Sequence, residues 1–464
     1  MRKRMKTKVA QNIVTVILAL IIAGGAFAAG FYTRKCTQGK TLSSVEWALE
    51  MIDKYYYFGD VEDGFDGASI SGIADKYLDR YSEYYTKEEY EELYKSNSGS
   101  KSGIGISYAY VEADVIENSG IYVSSVVGNS PAYKAGLRAG EFLVEGSLAG
   151  QSVTFKESDD FYDLLSSAKD GENVTLKNAL GESFTVAKAE YTASYTYLAT
   201  RDTAWVFKDA AYGGLALYEE PSESIGYLPE GTAYIYLSQF FGTAPQEFFR
   251  LVQKFNAMHC THLILDLRSN GGGYVDVMQQ IAGAFADGEK KTAMISRNKH
   301  GDTETFYCSK IDDADSRISK DVKVSVLANS GTASASEALI GAMYCYGALK
   351  YEDIYLSDYS ASYRGWLKKH GGETKTRQTY GKGIMQSTFI NYSTGGALKL
   401  TTAKIYWPDG KTTIHDRGIK TEDKCKAVEA DWEFTLCYEE LSDGTKKRLN
   451  GDKELYTAVQ MMKG

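Results

Sequence analysis

The chain has little proline and no excess of positive charge. Its 464 residues include 5 prolines beside 36 tyrosines, a composition that argues against long disordered linkers. A net charge of −9 argues against nucleic acid as the main partner, because phosphate binding needs a basic field. The 6 cysteines form no CxxC pair and show no metal-ligand spacing. We therefore expect no metal and no cofactor.

The N-terminus holds one long apolar run. Residues 1–12 are basic and contain no acid, and residues 13–31 (IVTVILALIIAGGAFAAGF) carry no charge. Such a run is long enough to cross a bilayer core of about 30 Å. The basic flank predicts a single-pass anchor in the cell membrane over residues 13–32, with the N-terminus cytoplasmic and the rest of the chain outside. A cleaved signal peptide is the alternative, since Ala26-Phe27-Ala28 fits a small-x-small cleavage site.

Two units of different character follow the apolar run. Residues 40–97 have apolar positions at helical spacing and predict a small, acidic helical module. A polar Gly/Ser stretch, SNSGSKSG, marks its end. Over residues 100–190 the sequence predicts strands in GIGISYAYV and SGIYVSSVV, a short helix in SPAYKAGLRAGE, a capped helix in SDDFYDLLSSAKDG and a final hairpin.

This order of elements resembles a PDZ domain, with Glu141 standing where such domains usually carry Asp. The alternative is another small β-rich domain with glycine turns. The resemblance implies that a peptide C-terminus adds as a strand beside the helix and that its carboxylate meets backbone N–H groups. The residues implied to bind the peptide C-terminus are Gly103, Ile104, Gly105 and Ile106.

Residues 191–425 alternate between strand and helix patterns. YIYLSQF, HLILDLR and VKVSVLAN predict strands, and the stretches after them predict helices. The alternation predicts an α/β core with a largely parallel sheet, packed helices and a β-strand return segment. Ligands in such sheets bind at the carboxyl ends of the strands, where RSNGGG and NSGTAS both fall. A C-terminal segment, 426–464, ends in a predicted helix, DKELYTAVQMMKG.

Ser334 and a glycine triplet are candidates for chemistry at that sheet edge. Ser334 opens a helix, where free N–H groups favour developing negative charge. The alternative is a plain capping box, since Glu337 stands three residues later. Residues 271–273 are glycines whose N–H groups can be approached closely, as an oxyanion hole requires. A tight strand-to-helix turn would explain the same glycines.

Lys382 is a candidate base. A lysine ordinarily titrates near 10.4 and serves as a base at neutral pH only when burial lowers its pKa to roughly 7–8. The uncharged surroundings TYGKGIMQ permit such burial, and Gln386 can hydrogen-bond the amine without adding charge. The alternative is a surface lysine in a glycine loop.

Together these motifs resemble the carboxy-terminal processing peptidases (tail-specific proteases), PDZ-containing serine peptidases with a Ser-Lys dyad. The resemblance covers most of residues 40–425, including LDLRSNGGG, GTASASE, TYGKGIMQ and GGALKLTTAKIYWPDGKTTIHDRGI. It implies that Ser334 is the nucleophile, Lys382 the general base and Gln386 its orienting partner. It also implies an oxyanion hole formed by the N–H of Gly271 or Gly272 together with that of Ala335. Glu337 and Thr379 are implied to have supporting roles.

One departure from the family is the interval between Ser334 and Lys382, which is roughly twice the usual one. We attribute the extra length to residues 351–377, interpreted as a surface insertion near the site that gates access or binds a partner. Among the cysteines, Cys425 and Cys437 are the pair to test for a disulfide bridge. Cys260 and Cys345 are expected to be buried thiols.

The sequence thus predicts an exported, membrane-anchored serine endopeptidase. Its partners would be polypeptides with accessible C-termini, the membrane, and an activating or adaptor protein. A catalytically silent PDZ scaffold on a peptidase fold is the alternative function. A Ser-His-Asp mechanism is the rival chemistry, and no motif surrounds any histidine to support it. The histidines are His259, His262, His300, His370 and His415.

Overall fold

The computed structural model describes residues 44–58, 70–111, 120–139, 141–357, 377–428, 438–440, 446–448 and 453–463. The expected membrane anchor, residues 13–32, lies outside these ranges. Within them, no helix combines the length and the apolar character that a membrane span requires.

The helices of the described residues are α1 (Ser44–Tyr55), α2 (Ile70–Tyr77), α3 (Lys87–Asn97), α4 (Pro131–Lys134), α5 (Ser158–Ser167), α6 (Ala244–Ala257), α7 (Val275–Gly283), α8 (Ala335–Tyr346) and α9 (Lys453–Lys463). The strands are β1 (Glu83–Tyr85), β2 (Ser100–Gly103), β3 (Ile106–Val111), β4 (Gly120–Val126), β5 (Phe142–Leu148), β6 (Gln151–Thr154), β7 (Asn173–Asn178), β8 (Ser183–Ala187), β9 (Ala189–Thr192), β10 (Thr196–Ala199), β11 (Ala204–Asp209), β12 (Leu215–Glu219), β13 (Thr232–Leu237), β14 (His262–Asp266), β15 (Thr292–Asn298), β16 (Thr303–Tyr307), β17 (Lys323–Ala328), β18 (Ile354–Ser357), β19 (Ile384–Ile390), β20 (Ala397–Tyr406), β21 (Lys426–Val428), β22 (Tyr438–Glu440) and β23 (Lys446–Arg448).

A mixed sheet forms the centre of the molecule, in the order β12-β11-β10-β13-β14-β17-β18-β21. From β13 to β21 the neighbouring strands are parallel, as the strand-helix alternation predicted. The other end is antiparallel because β10, β11 and β12 turn back without crossover helices. The sheet is therefore mixed rather than largely parallel. Helices α6, α7 and α8 bury their apolar side chains in its main core.

Part of the stretch interpreted as a surface insertion lies in the central sheet. Within residues 351–377, the segment Ile354–Ser357 forms β18, which is fully buried between β17 and β21. Its short apolar run, IYL, meets the requirement for a strand covered on both faces, but its tyrosines and flanking acids suggested a loop. The interpretation as an insertion is wrong for these residues. Residues 358–376 lie outside the described ranges.

A second sheet joins the N-terminal helical module to the core. Its strands run in the order β1-β20-β15-β16, with β19 also paired to β20. Trp47, Met51 and Ile52 of α1 pack against Leu398 and Leu400 of β20 in one apolar cluster. The N-terminal module is thus built into the same sheet as the return segment.

Residues 100–190 fold around their own apolar core. The strands form the order β3-β4-β5-β7-β8, with β6 paired to β5, and α4 and α5 fall where the sequence predicted helices. Glu141 is buried and accepts a hydrogen bond from Asn178 Nδ2 at 2.9 Å. The residues implied to bind a C-terminus lie in one turn: Gly103 ends β2, Ile104 is buried, Gly105 has a φ of 81°, and Ile106 begins β3.

The C-terminal segment contributes to the core. Residues 426–428 form the edge strand β21, and the predicted terminal helix is present as α9. Among the cysteines, Cys425 is buried and Cys437 lies outside the described residues. Cys345 is exposed, contrary to the expectation of a buried thiol, because it falls on the solvent side of α8 near its end; Cys260 is half-buried.

Candidate active site

Ser334 occupies a sharp turn between the central sheet and α8. Its backbone has φ 58° and ψ −116°, a conformation that costs a residue with a Cβ about 1–3 kcal/mol. Two hydrogen bonds hold the turn: the Ala333 N–H donates to Asn270 O at 3.0 Å, and the Ala338 N–H donates to Ser334 O at 2.9 Å. The turn presents Ser334 at the N-terminus of a helix, where free N–H groups can stabilise an anion.

Glu337 joins the Ser334 turn to the Lys382 loop. Its carboxylate is fully buried. Oε2 accepts the backbone N–H of Ser334 and that of Lys382, each at 2.9 Å. Oε1 accepts the N–H of Gly381 at 2.8 Å and the hydroxyl of Thr379 at 2.5 Å. The two segments named by the sequence motifs are therefore brought together by one side chain.

The hydrogen bonds around Glu337 indicate its protonation state. Burial raises the pKa of this carboxyl, and the four donors act in the opposite direction. Thr379 Oγ1 accepts the N–H of Ile419 at 2.8 Å, so its own proton points to Glu337. Four donors occupy the lone pairs of an ionised carboxylate, and a proton on Glu337 would displace one of them. We therefore describe Glu337 as the carboxylate.

The glycines on either side of Lys382 allow two chain segments to touch. A Cβ on Gly381, which has a φ of 85°, would lie 2.8 Å from Gly418 N. A Cβ on Gly383 would lie 2.6 Å from His415 N. Both distances are shorter than real Cβ contacts, so only glycine fits at each position. The lysine is held between glycines because its loop packs directly on the backbone of residues 414–418.

Lys382 lies under the N-terminal helical module. Its Nζ is 4.5 Å from the centre of the Tyr81 ring. Tyr81 donates a hydrogen bond to the Tyr380 hydroxyl at 2.8 Å and accepts one from Arg80 at 2.8 Å. Burial lowers the pKa of Lys382 to about 8, within the range that general-base chemistry needs. Charged groups also act on this pKa: Lys399 and Arg80 lower it, and Asp79 and Glu337 raise it.

Gln386 lies on β19, four residues after Lys382, at a shift in the pairing register with β20. Its Nε2 donates to Thr401 Oγ1 at 3.0 Å. Among the described residues, no hydrogen bond links Gln386 directly to Lys382. Gln386, the expected orienting partner of Lys382, therefore lies on β19, and its side-chain NH₂ group is already hydrogen-bonded to Thr401.

The two glycines expected to form the oxyanion hole have different roles. The Gly272 N–H donates to Asn270 Oδ1 at 2.9 Å and is therefore already engaged in a hydrogen bond. A Cβ on Gly272 would lie 2.9 Å from Ser334 Cβ and 3.0 Å from Ala335 N. Gly272 therefore lets the glycine loop approach the serine turn. Gly271 is exposed and stands beside it, which leaves Gly271 with Ala335 as the candidate donors.

Asn270 was not identified from the sequence. It is fully buried, and its Nδ2 donates to Leu237 O at 2.8 Å. The backbone carbonyl oxygen of Asn270 accepts the Ala333 N–H at 3.0 Å and the Ser336 hydroxyl at 2.9 Å. Asn270 therefore fixes the glycine loop and the serine turn relative to each other. An asparagine before a glycine triplet suggested only turn chemistry.

His415 lies close to the Lys382 loop. Its backbone packs on Gly383, and its Nε2 is 3.4 Å from Asp416 Oδ2. His262 is in contact with Ser325 Oγ at 2.9 Å, where burial lowers the pKa of His262 to about 4. This second pair involves β14 and β17 and does not include Ser334. His370 lies outside the described residues.

The chain is similar to known peptidases. Residues 231–350 match the model of peptidase family S41. A protein of Staphylococcus epidermidis named "Probable CtpA-like serine protease" is 29% identical over 385 residues, covering 83% of this chain and 65% of that protein. A protein of the same name from Staphylococcus haemolyticus is 28% identical, covering 91% of this chain and 74% of that protein.

A solved structure has the same fold. It is assigned to an S41 protease from Bacteroides fragilis NCTC 9343, with a TM-score of 0.54 and 15% identity, and the match covers 92% of this chain and 99% of the other. The match region of the family model contains β13, α6, β14, α7, β17 and α8, which carry the glycine loop and Ser334. The chain therefore contains a serine peptidase domain of family S41 and is related to CtpA-like serine proteases.

Proposed function

We propose that this chain is an exported, membrane-anchored serine endopeptidase that cleaves proteins near their C-termini with Ser334 and Lys382. The observation that carries this proposal is the shared carboxylate. Glu337 holds the backbone of both residues at 2.9 Å, so the strained serine turn and the half-buried lysine belong to one site.

The chemistry follows from the protonation of Lys382. The neutral amine accepts the proton of Ser334 Oγ as that oxygen forms a bond to the carbonyl carbon of the scissile peptide. The N–H groups of Gly271 and Ala335 would stabilise the oxyanion. The lysine ammonium then gives the proton to the leaving amine, which departs as the C–N bond breaks. Water then attacks the acyl carbon while Lys382 takes one of its protons, and Lys382 returns that proton to Ser334 Oγ as the acyl C–O bond breaks.

Residues 100–190 are proposed to act as a PDZ domain that captures the substrate C-terminus. In support, the turn from Gly103 to Ile106 leads into β3, an edge strand of its sheet to which a peptide can add. The helix α5 packs beside this strand, since the rings of Tyr108 and Phe161 lie 4.7 Å apart. A bound peptide would lie between β3 and α5.

The test uses the purified full chain in detergent and an unfolded protein made in two forms, with a free C-terminal carboxylate and with a C-terminal amide. Mass spectrometry identifies the cleavage sites. We expect cleavage near the C-terminus of the free form, slower cleavage of the amide, and none with Ser334→Ala. Equal rates for both forms would contradict the PDZ role. Binding of the free form without any turnover would instead favour the silent scaffold.

The membrane anchor is tested separately. In support of it, residues 1–12 are basic and residues 13–31 are uncharged. We expect the full chain to stay with membranes after extraction at alkaline pH and a variant that lacks residues 1–32 to be released. Release of both would contradict the anchor and leave the peptidase proposal intact.

A further inference from the structure

Asp79 connects the N-terminal helical module to the strand beside Lys382. It lies just after α2, and its carboxylate accepts two hydroxyl hydrogen bonds. Ser82 Oγ donates to Oδ1 at 2.5 Å, and Thr401 Oγ1 donates to Oδ2 at 2.8 Å. Thr401 lies on β20 and is fully buried. Asp79 is thus bound to the sheet that carries Gln386.

These contacts determine the orientation of the Gln386 amide. A threonine hydroxyl has one proton, and Thr401 gives that proton to Asp79. The remaining lone pairs of Thr401 Oγ1 can only accept, so they select the NH₂ end of Gln386, which lies 3.0 Å away. The carbonyl end of the amide must then point away from Thr401. A carbonyl oxygen is the end that can accept from the Lys382 amine.

We propose that Asp79 is a positioning residue for the base: by holding the Thr401 hydroxyl, it fixes the Gln386 amide with its carbonyl oxygen available to Lys382. This inference rests on the proposed function, in which Lys382 is the base. A lysine side chain has four rotatable bonds, so its amine can occupy many positions. An oriented carbonyl oxygen of Gln386 would restrict where that amine lies.

The alternative is that Asp79 only holds the loop. Ser82 could serve that purpose without the Thr401 side chain, because the backbone N–H of Thr401 donates to Ser82 Oγ at 3.0 Å and already joins the loop to β20. The second contact, from the Thr401 hydroxyl to Asp79, repeats that link and in addition orients Gln386. Asp79 also acts on Lys382 through its charge, which favours the ammonium form.

Several charged and titratable groups surround Lys382, and they determine the sign of the expected pH effect. They are Asp79, Arg80 and Tyr81 after α2, Glu337 on α8, Tyr380 beside the lysine, Lys399 on β20 and His415 in the segment packed on Gly383. Asp79 and Glu337 are the carboxylates acting on the lysine. Removing the charge of Asp79 therefore lowers the pKa of Lys382.

The experiment compares Asp79→Asn, Thr401→Val and Thr401→Ser in the full chain. Asp75→Asn is the matched control, since Asp75 is an exposed acid on the same module. The rate at which a fluorophosphonate modifies Ser334 is followed by intact mass between about pH 6 and 10. This readout needs no known substrate. Values of kcat and KM are then measured on a cleaved peptide, and thermal unfolding reports the folded fraction.

We expect Asp79→Asn and Thr401→Val each to lower the plateau rate and kcat about 10-fold or more, with KM nearly unchanged. Asp79→Asn also moves the rise in rate to lower pH. Thr401→Ser, which keeps the hydroxyl, and Asp75→Asn should match the unmodified chain. The proposal is overturned if both variants behave like Asp75→Asn, or if the losses follow the folded fraction while the pH profile stays in place.

Failure of the proposed function gives a different result. If the unmodified chain is not labelled at Ser334 and Ser334→Ala has the same residual cleavage, then Ser334 is not the nucleophile. In that case Asp79 has no base to position, and both proposals are overturned together. If Ser334 is labelled normally and only the Asp79 and Thr401 variants have no effect, the peptidase proposal stands and the positioning role alone is wrong.

Discussion

Ser334 and Lys382 share one hydrogen-bond acceptor, Oε2 of Glu337, which receives the backbone N–H of each residue at 2.9 Å. The two residues come from separate elements, the turn before α8 and the loop before β19. Because one buried carboxylate fixes both backbones, a displacement of either loop changes the geometry of the other.

Glu337→Gln is expected to damage stability and activity together. A glutamine places an NH₂ group where Glu337 now accepts two donors, so at least one buried N–H or hydroxyl loses its partner. We expect a loss of about 2–4 kcal/mol in the free energy of unfolding and about 100-fold in kcat. Denaturant unfolding and initial rates measure both. The control is Glu304→Gln on the exposed face of β16, which should stay within about 0.5 kcal/mol.

The pH dependence of cleavage should follow Lys382. The amine is a base only when it is unprotonated, and burial lowers its pKa from 10.5 to about 8. Ser334-dependent cleavage should therefore rise with pH through neutrality and level off above about pH 8. Ser334→Ala and Lys382→Ala should each abolish it.

His415→Ala provides the contrast to those two variants. Its ring lies 3.4 Å from Asp416, beside the Lys382 loop, so it is the described histidine to examine first. Under the Ser-Lys mechanism the variant keeps at least about a tenth of the rate and the same pH profile. A loss as deep as that of Ser334→Ala, together with a rise near pH 6.5 in the unmodified chain, would instead point to a histidine base.

Gly381→Ala separates backbone strain from steric clash. Gly381 and Gly301 have nearly the same φ, 85° and 86°, but only the Cβ of residue 381 would meet other atoms, 2.8 Å from Gly418 N. Gly301→Ala should cost about 1 kcal/mol, from strain alone. Gly381→Ala should cost roughly 3 kcal/mol and lower kcat strongly, because Lys382 moves with its loop. Equal costs for the two variants would show that the close packing has no effect.

Glu454→Gln tests the link between the terminal helix and the glycine loop. Arg268 Nη1 lies 2.8 Å from Glu454 Oε2, and both side chains are nearly buried, with exposed fractions of 11% and 10%. We expect a loss of about 2 kcal/mol, limited because Asp266 still pairs with Arg268 at 2.5 Å. The exposed pair of Lys310 and Asp312 is the control, and Asp312→Asn should cost less than about 0.5 kcal/mol. A cost for Glu454→Gln no larger than this control would contradict the link.

Much of the site could be predicted because its signals are local. Ser334, Glu337 and the glycines around Lys382 each follow from a turn or a helix start, and short-range sequence patterns report such features. The strands that carry them, β13, β14 and β17, are continuous apolar runs and were predicted for the same reason.

The contributions of Asp79, Tyr81 and Thr401 could not be predicted, since they depend on contacts between distant parts of the chain. The hydrogen bond from Thr401 N to Ser82, for example, joins residues 319 positions apart. β18 was missed for a related reason. Its four residues are too few to give a periodicity, and only the neighbours β17 and β21 determine that they form a strand.

The pairing of β1 with β20 has a consequence for how the protein is made. In this pairing Tyr84 lies opposite Leu398. The segment of Tyr81 and β1, which covers Lys382, can therefore join its sheet only after residue 398 has been synthesised. A loop of this length closes late in folding because local contacts form first. If Lys382 is the base, the polypeptide has no assembled catalytic centre until this late stage of its synthesis. The order of its strands would then protect the cell, and the chain itself, from premature proteolysis.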